Sequence, residues 1–189
     1  MKYLETPSQT VGPFFAYGLT PKQYQYDFTE WFNGNLVAEN GENTDGTSRS
    51  NREGGIITIK GRVFDGNGAP IPDAMIEFWQ EDIKGFGRFG TGTDPQNRFI
   101  FQTVKPVSQN GEAPFITVVV FMRGLLVHAF TRLYFSDEKQ KNKEDEILNL
   151  VPKNRRNTLI ANKIERGGRV EYEFNIVMQG DNETVFFDL

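Results

Sequence analysis

The sequence predicts an all-β fold, a β-sandwich preceded by an N-terminal arm and carrying short helices after Phe135. Three observations lead there. From Ile56 onward, short runs rich in Val, Ile, Phe, Tyr and Thr alternate with Gly, Pro and Asn turn signals. Within the runs the apolar residues recur every second position, so that in "AMIEFWQ" Ala74, Ile76 and Phe78 share one face. At 189 residues, 38% apolar and 13% aromatic, the chain can bury one sizeable core and is too short to make two. The expected organisation is one domain over 1–189: an arm at 1–32, a polar loop at 33–55 and a sandwich core at 56–189.

The arm mixes many aromatics with Pro and Gly but has no period of 2 or 3.6, so it cannot bury itself. Two readings stand side by side, a strap across the chain's own core and an arm docked on a partner subunit. The Gly/Asn/Ser-rich segment that follows lacks the apolar content to fold and reads as a long surface loop. "IITIKGRVFD" is then a strand, "GNGAPIPD" a turn and "AMIEFWQ" a second strand. "GFGRFGTG", from Gly85 to Gly92, has neither the Gly-Lys-Ser/Thr ending nor the strand-loop-helix setting of a phosphate loop, and is expected to be a surface loop. "RFIFQTV", "FITVVVF" and "HAFTRLYF" supply three more strands. The charged stretch after Phe135 predicts one or two short exposed helices, opened by Ser136 as N-cap and closed by Pro152. A hairpin turning at Gly167 and Gly168 and a final "ETVFFDL" complete the chain.

Composition narrows the chemistry. Net charge is -4 and the basic residues are scattered, so no footprint for nucleic acid is present. The absence of cysteine removes thiolate catalysis, disulfides and cysteine metal sites together. With a single histidine, His128, there is no His-pair metal site, and no metal centre is expected from this chain alone. Set among Val127, Ala129 and Phe130 on an expected strand, His128 reads as structural. No Gly-x-Ser-x-Gly elbow exists to present a nucleophile. Without a leader-like start or an apolar run approaching 18 residues, a cytoplasmic, membrane-free protein is expected. The residues alone describe a sandwich without catalytic machinery of its own.

One segment is more specific. "GRVFDGNGAPIPDAMIEFWQED", from Gly61 to Asp82, follows the form G-x-V-x-D-x-x-G-x-P-I-x-x-A-x-I-E-x-W-Q and resembles the segment with which intradiol ring-cleavage dioxygenases begin their sandwich. "TPSQTVGPFF", "FQTVKP", "FMRG", "TRLYFSDE" and "QGDNETVFFDL" resemble, more narrowly, the alpha-type chain of two-chain members of that family. The resemblance runs over nearly the whole chain, apart from the polar loop and shortened loops near Gly85 and Gln109. It implies a prealbumin-like or immunoglobulin-like sandwich and the insertion of O2 between the hydroxyl-bearing carbons of a catechol on a non-haem Fe3+.

The family holds its iron with two tyrosines and two histidines, the latter a His-x-His pair on a strand. On this sequence the pair falls at Phe115 and Thr117, neither of which can replace an imidazole. No tyrosine occurs in 85–99 or in "KPVSQNGEAP" either. The resemblance therefore implies that Fe3+ belongs to a homologous iron-binding beta chain, in a large hetero-oligomer acting on protocatechuate and O2, with no catalytic residue in this chain alone. It assigns substrate contacts to Thr10, Gly12 and Pro13 of "TVGP" and to Arg123 of "FMRG". Without the resemblance, Arg123 would read as a snorkelling side chain or a partner for a nearby carboxylate. Two other classes remain open: a β-sandwich carrier of small molecules, and an iron-free homo-oligomeric scaffold.

Overall fold

Residues 11–12, 15–24 and 55–188 are described by the computed structural model, and they form the predicted sandwich. Its strands are β1 (Ile56–Phe64), β2 (Met75–Gln80), β3 (Gly85–Gly90), β4 (Arg98–Val104), β5 (Phe115–Phe121), β6 (Ala129–Phe135), β7 (Ile160–Arg166), β8 (Arg169–Glu173) and β9 (Ile176–Val177). Three short α-helices accompany them among the described residues: α1 (Phe15–Leu19), α2 (Lys139–Glu144) and α3 (Glu146–Leu150). The hydrogen-bonded order is β3-β2-β5-β6-β7-β8-β1-β4, with β9 on β1. The first four strands form an antiparallel leaf. The other leaf joins it through a parallel register of only two pairs, Tyr134↔Ile160 and Phe135↔Ala161.

Alternation sets the core. Ile57, Ile59 and Val63 of β1, Phe99 and Phe101 of β4 and Tyr172 of β8 point inward from one leaf, towards Ile76 and Phe78 of β2 and Val118 and Val120 of β5 on the other. The rings of Phe78 and Phe101 stack at 4.0 Å and 11° across this interface. Each such ring removes a large apolar area from water, which is the main favourable contribution to the fold. Ala74, Ile76 and Phe78 lie in this core, as the period-2 reading expects.

Two local readings of the sequence are corrected. Gly85–Gly90 is not a surface loop but edge strand β3, paired with β2 from Gln80↔Gly85 to Met75↔Gly90. Its glycines carry no β-propensity, so the strand depends on its neighbour: buried Arg88 meets buried Glu77 across the pair, Nε to Oε1 at 2.6 Å. Nor does Ser136 cap a helix. Its hydroxyl accepts from the Lys163 amide at 3.0 Å, α2 begins after Glu138, and Asp145 caps α3 by accepting from the Leu148 amide at 2.7 Å. Helices after Phe135, and their end before Pro152, agree with the sequence. The predicted turns are present: Asp65 Oδ1 accepts from the amides of Asn67 and Ala69, and Gly167 and Gly168 adopt φ of 56° and 76° between β7 and β8.

The described part of the arm is a strap on the chain's own sheet. Val11, Phe15 and Leu19 cover Met75, Val119 and Phe121, the face of β2 and β5 that points away from the core. This is why β5 is buried on both faces where its alternation suggested one. The short 3-10 turn Pro21–Tyr24 then fastens the strap: the Gln23 side chain donates to the Gly90 carbonyl at 3.0 Å and accepts from the Gly90 amide at 2.6 Å. A primary amide thereby satisfies both backbone groups at the end of the edge strand. The loop expected at 33–55 lies, but for Gly55, outside the described residues, as do Thr10 and Pro13. No described helix is long and apolar enough to cross a membrane.

Candidate functional site

Strand register explains why an arginine stands two residues past the end of an apolar strand. Strands β2 and β5 run antiparallel with Met75 opposite Phe121, and the same register continued two residues further brings Asp73 opposite Arg123. The two side chains form an ion pair, Arg123 Nε to Asp73 Oδ2. Gly124 follows with φ of 87°, a left-handed turn that suits glycine and ends the strand's direction there. The Arg123 side chain is 69% exposed, so the ion pair does not bury it.

Arg123 and Asp73 line a cleft of about 510 Å³ together with Gly12, Tyr24 and Gly92. The strap thus forms one wall and the ends of β2, β3 and β5 the others. Gly92 is needed for the fit, since a Cβ there would lie 2.8 Å from the Pro72 carbonyl oxygen and 3.1 Å from the Tyr24 hydroxyl. Gly12 is exposed, and a Cβ on it would meet no described atom within 4 Å. Of the four substrate-contact positions that the resemblance suggests, Gly12 and Arg123 come together in this cleft, while Thr10 and Pro13 flank Gly12 outside the described residues. Sequence reasoning missed Asp73, Tyr24 and Gln23. The first could have been found from the β2–β5 register; the others depend on where the strap lands.

The opposite end of β5 carries Phe115 and Thr117, on one face two residues apart. Here a cation stands: the Arg132 guanidinium lies 4.0 Å from the centroid of the Phe115 ring. Arg132 Nη1 donates to Glu112 Oε1 at 2.8 Å and reaches the Tyr134 hydroxyl at 3.4 Å. Tyr134 donates in turn to Asp145 Oδ1 at 3.2 Å. Burial, aided by the Asp145 carboxylate, pushes the Tyr134 phenol well above the usual tyrosine range, so it stays protonated. These residues do not fit Fe3+, which needs anionic or imidazole donors and is repelled by a fixed guanidinium. Among the described residues no three His, Asp or Glu side chains cluster as a metal site would require. His128 sits just before β6 rather than in a strand, with its ring 5.3 Å from that of Phe121 and 4.7 Å from that of Phe130.

Comparison with known proteins shows which family the chain resembles. The chain is 46% identical to the protocatechuate 3,4-dioxygenase alpha chain of Burkholderia cepacia, over 98% of both chains. It is 37% identical to the alpha chain of the same name from Pseudomonas putida, over 97% of this chain and 96% of that one. Among solved structures, the dioxygenase domain of a carbohydrate-binding fusion from Streptomyces sp. SirexAA-E superposes with a TM-score of 0.58 at 20% identity, covering 95% of this chain and 99% of that one. An intradiol ring-cleavage dioxygenase from Tetranychus urticae does so at 0.57 and 16%, covering 91% and 93%. At those identities the structures speak to the fold alone. No family model matches the chain.

Proposed function

Because the chain belongs to the family of protocatechuate 3,4-dioxygenase alpha chains, we propose that it completes the substrate pocket of a homologous, iron-bearing beta chain without holding the metal itself. The reaction in this reading is intradiol cleavage of protocatechuate by O2 to 3-carboxy-cis,cis-muconate. The observation that carries it is the meeting of Arg123 and Gly12 at one cleft. Protocatechuate differs from catechol by one ring carboxylate, and a guanidinium offers that planar anion two parallel N–H donors. With Nε engaged by Asp73, the Nη groups of Arg123 are the donors that remain for it. Glycine at position 12 lets a flat ring approach the backbone closely.

The partner's approach is supported by the surface beside the arginine. Leu126 and Val127, three and four residues after Arg123, are 81% and 66% exposed and offer apolar area for a partner's surface to cover. The contribution of this chain is to bind and orient the substrate; the oxygen chemistry belongs to the partner's Fe3+. In this reading the chain works within a large cytoplasmic hetero-oligomer, a setting that its lack of cysteine suits.

In the complex assembled with the beta chain, Arg123→Ala is expected to lower kcat/KM for protocatechuate about ten- to a hundredfold, mostly through KM. Catechol, which has no carboxylate, should lose little. Arg123→Lys should restore part of the loss, since it returns the charge but not the paired donors. Equal losses on both substrates would mean that Arg123 holds the interface rather than the substrate, and would refute the reading. A sandwich that only carries or scaffolds would leave both substrates unchanged.

A further inference from the structure

We propose that Asp73 is a positioning residue for substrate selection: it fixes the Arg123 guanidinium by its Nε so that the Nη edge faces the cleft. The inference rests on the functional reading above and adds to it a second residue that touches no substrate. The two partners differ sharply in rigidity. Arg123 lies in a turn past the end of β5 with a largely exposed, four-torsion side chain. Asp73 follows Pro72 on a segment pinned at both sides by buried Thr91. The Thr91 hydroxyl donates to the Ile71 carbonyl at 2.8 Å and accepts from the Ala74 amide at 3.1 Å, and its own amide donates to the Ala74 carbonyl at 2.8 Å. The Ile71 amide is held in addition by the Val63 carbonyl at 2.8 Å. A carboxylate on so fixed a base sets the position of the mobile arginine, not the reverse.

Stability does not explain the pair. An ion pair with one partner this exposed contributes little to folding. Moreover, Asp73 Oδ1 is buried with no hydrogen-bond partner among the described residues, an unfavourable arrangement that a purely structural turn would avoid. Geometry offers a use for the residue instead. A carboxylate engaging Nε takes one of the five guanidinium N–H groups and leaves the two Nη groups as a fork for a second planar anion. Holding that fork in place beforehand removes the ordering cost that an exposed arginine would otherwise incur when substrate binds.

The test uses the assembled complex and compares protocatechuate with catechol. Asp73→Ala should raise KM for protocatechuate about two- to tenfold, the cost of ordering one long side chain, with kcat little changed and catechol unaffected. Asp73→Asn, which keeps an acceptor oxygen without the charge, should fall between Asp73→Ala and wild type. On an Arg123→Ala background, Asp73→Ala should add nothing, because the residue acts only through the arginine. A fall in KM would mean that Asp73 competes with the substrate as an internal anion, and an equal loss on both substrates would mean a structural role; either overturns the inference. A silent Asp73→Ala beside a strong Arg123→Ala effect would overturn the Asp73 role alone. A silent Arg123→Ala would overturn the functional reading, and this inference with it.

Discussion

Gly61→Ala, co-expressed with the partner chain, is expected to give no soluble, folded product. Gly61 lies in β1, between β4 and the chain that leaves β8, with Phe99 as its cross-strand neighbour. A Cβ at this position would stand 1.7 Å from the Phe174 carbonyl oxygen, 2.6 Å from its carbon and 2.7 Å from the Phe99 ring. Two of the three atoms are backbone, and the Phe174 amide is tied to the Lys60 carbonyl at 2.9 Å, so neither can withdraw without breaking the sheet. Such a clash belongs among the exceptional substitutions that cost more than about 4–5 kcal/mol, comparable with the whole stability of many domains. Soluble yield and a thermal melt check it; a Tm within a few degrees of wild type would show that the crossing is looser than described.

The second large effect concerns the buried pair that holds the edge strand. Glu77 and Arg88 face each other across β2 and β3, with side chains only 2% and 7% exposed. Removing one partner takes the counter-ion from a desolvated charge, so Glu77→Ala or Arg88→Ala should destabilise by about 3–5 kcal/mol. Replacing both with apolar residues of similar volume should recover much of the loss, because neither desolvated charge then remains. Urea unfolding of the two single variants and the double variant measures this. A loss below about 1 kcal/mol in the single variants would mean that water reaches the pair.

Strand existence was legible wherever alternation met β-branched and aromatic residues, as in "IITIKGRVF", "RFIFQTV" and "FITVVVF". Strand β3 was not legible, because "GFGRFG" owes its conformation to pairing and to the Glu77–Arg88 contact, neither of which local propensity reports. The Ser136 cap failed for a similar reason: a tertiary partner, the Lys163 amide, took the hydroxyl. For the site, composition alone stopped at a sandwich without catalytic groups. Arg123 and Gly12 became candidates only through the resemblance in "FMRG" and "TVGP". Asp73 needed the strand register as well, and Tyr24 and Gln23 needed the landing place of a strap that has no period of its own. The arm's ambiguity between strap and docking was physical: an aromatic-rich segment without amphipathic period is compatible with any apolar surface, and Met75, Val119 and Phe121 supply one within the chain.

The central claim is that this chain lends its arginine to a substrate bound at a partner's metal. A crystal structure of the assembled complex with bound protocatechuate, prepared without O2, tests it most directly. The account predicts the ring carboxylate about 2.7–3.0 Å from the Arg123 Nη atoms, the guanidinium still held at Nε by Asp73, and the catechol oxygens directed away from this chain towards iron in the beta chain. A substrate whose carboxylate is held by beta-chain residues alone, with Arg123 turned into solvent or into the subunit contact, would contradict it.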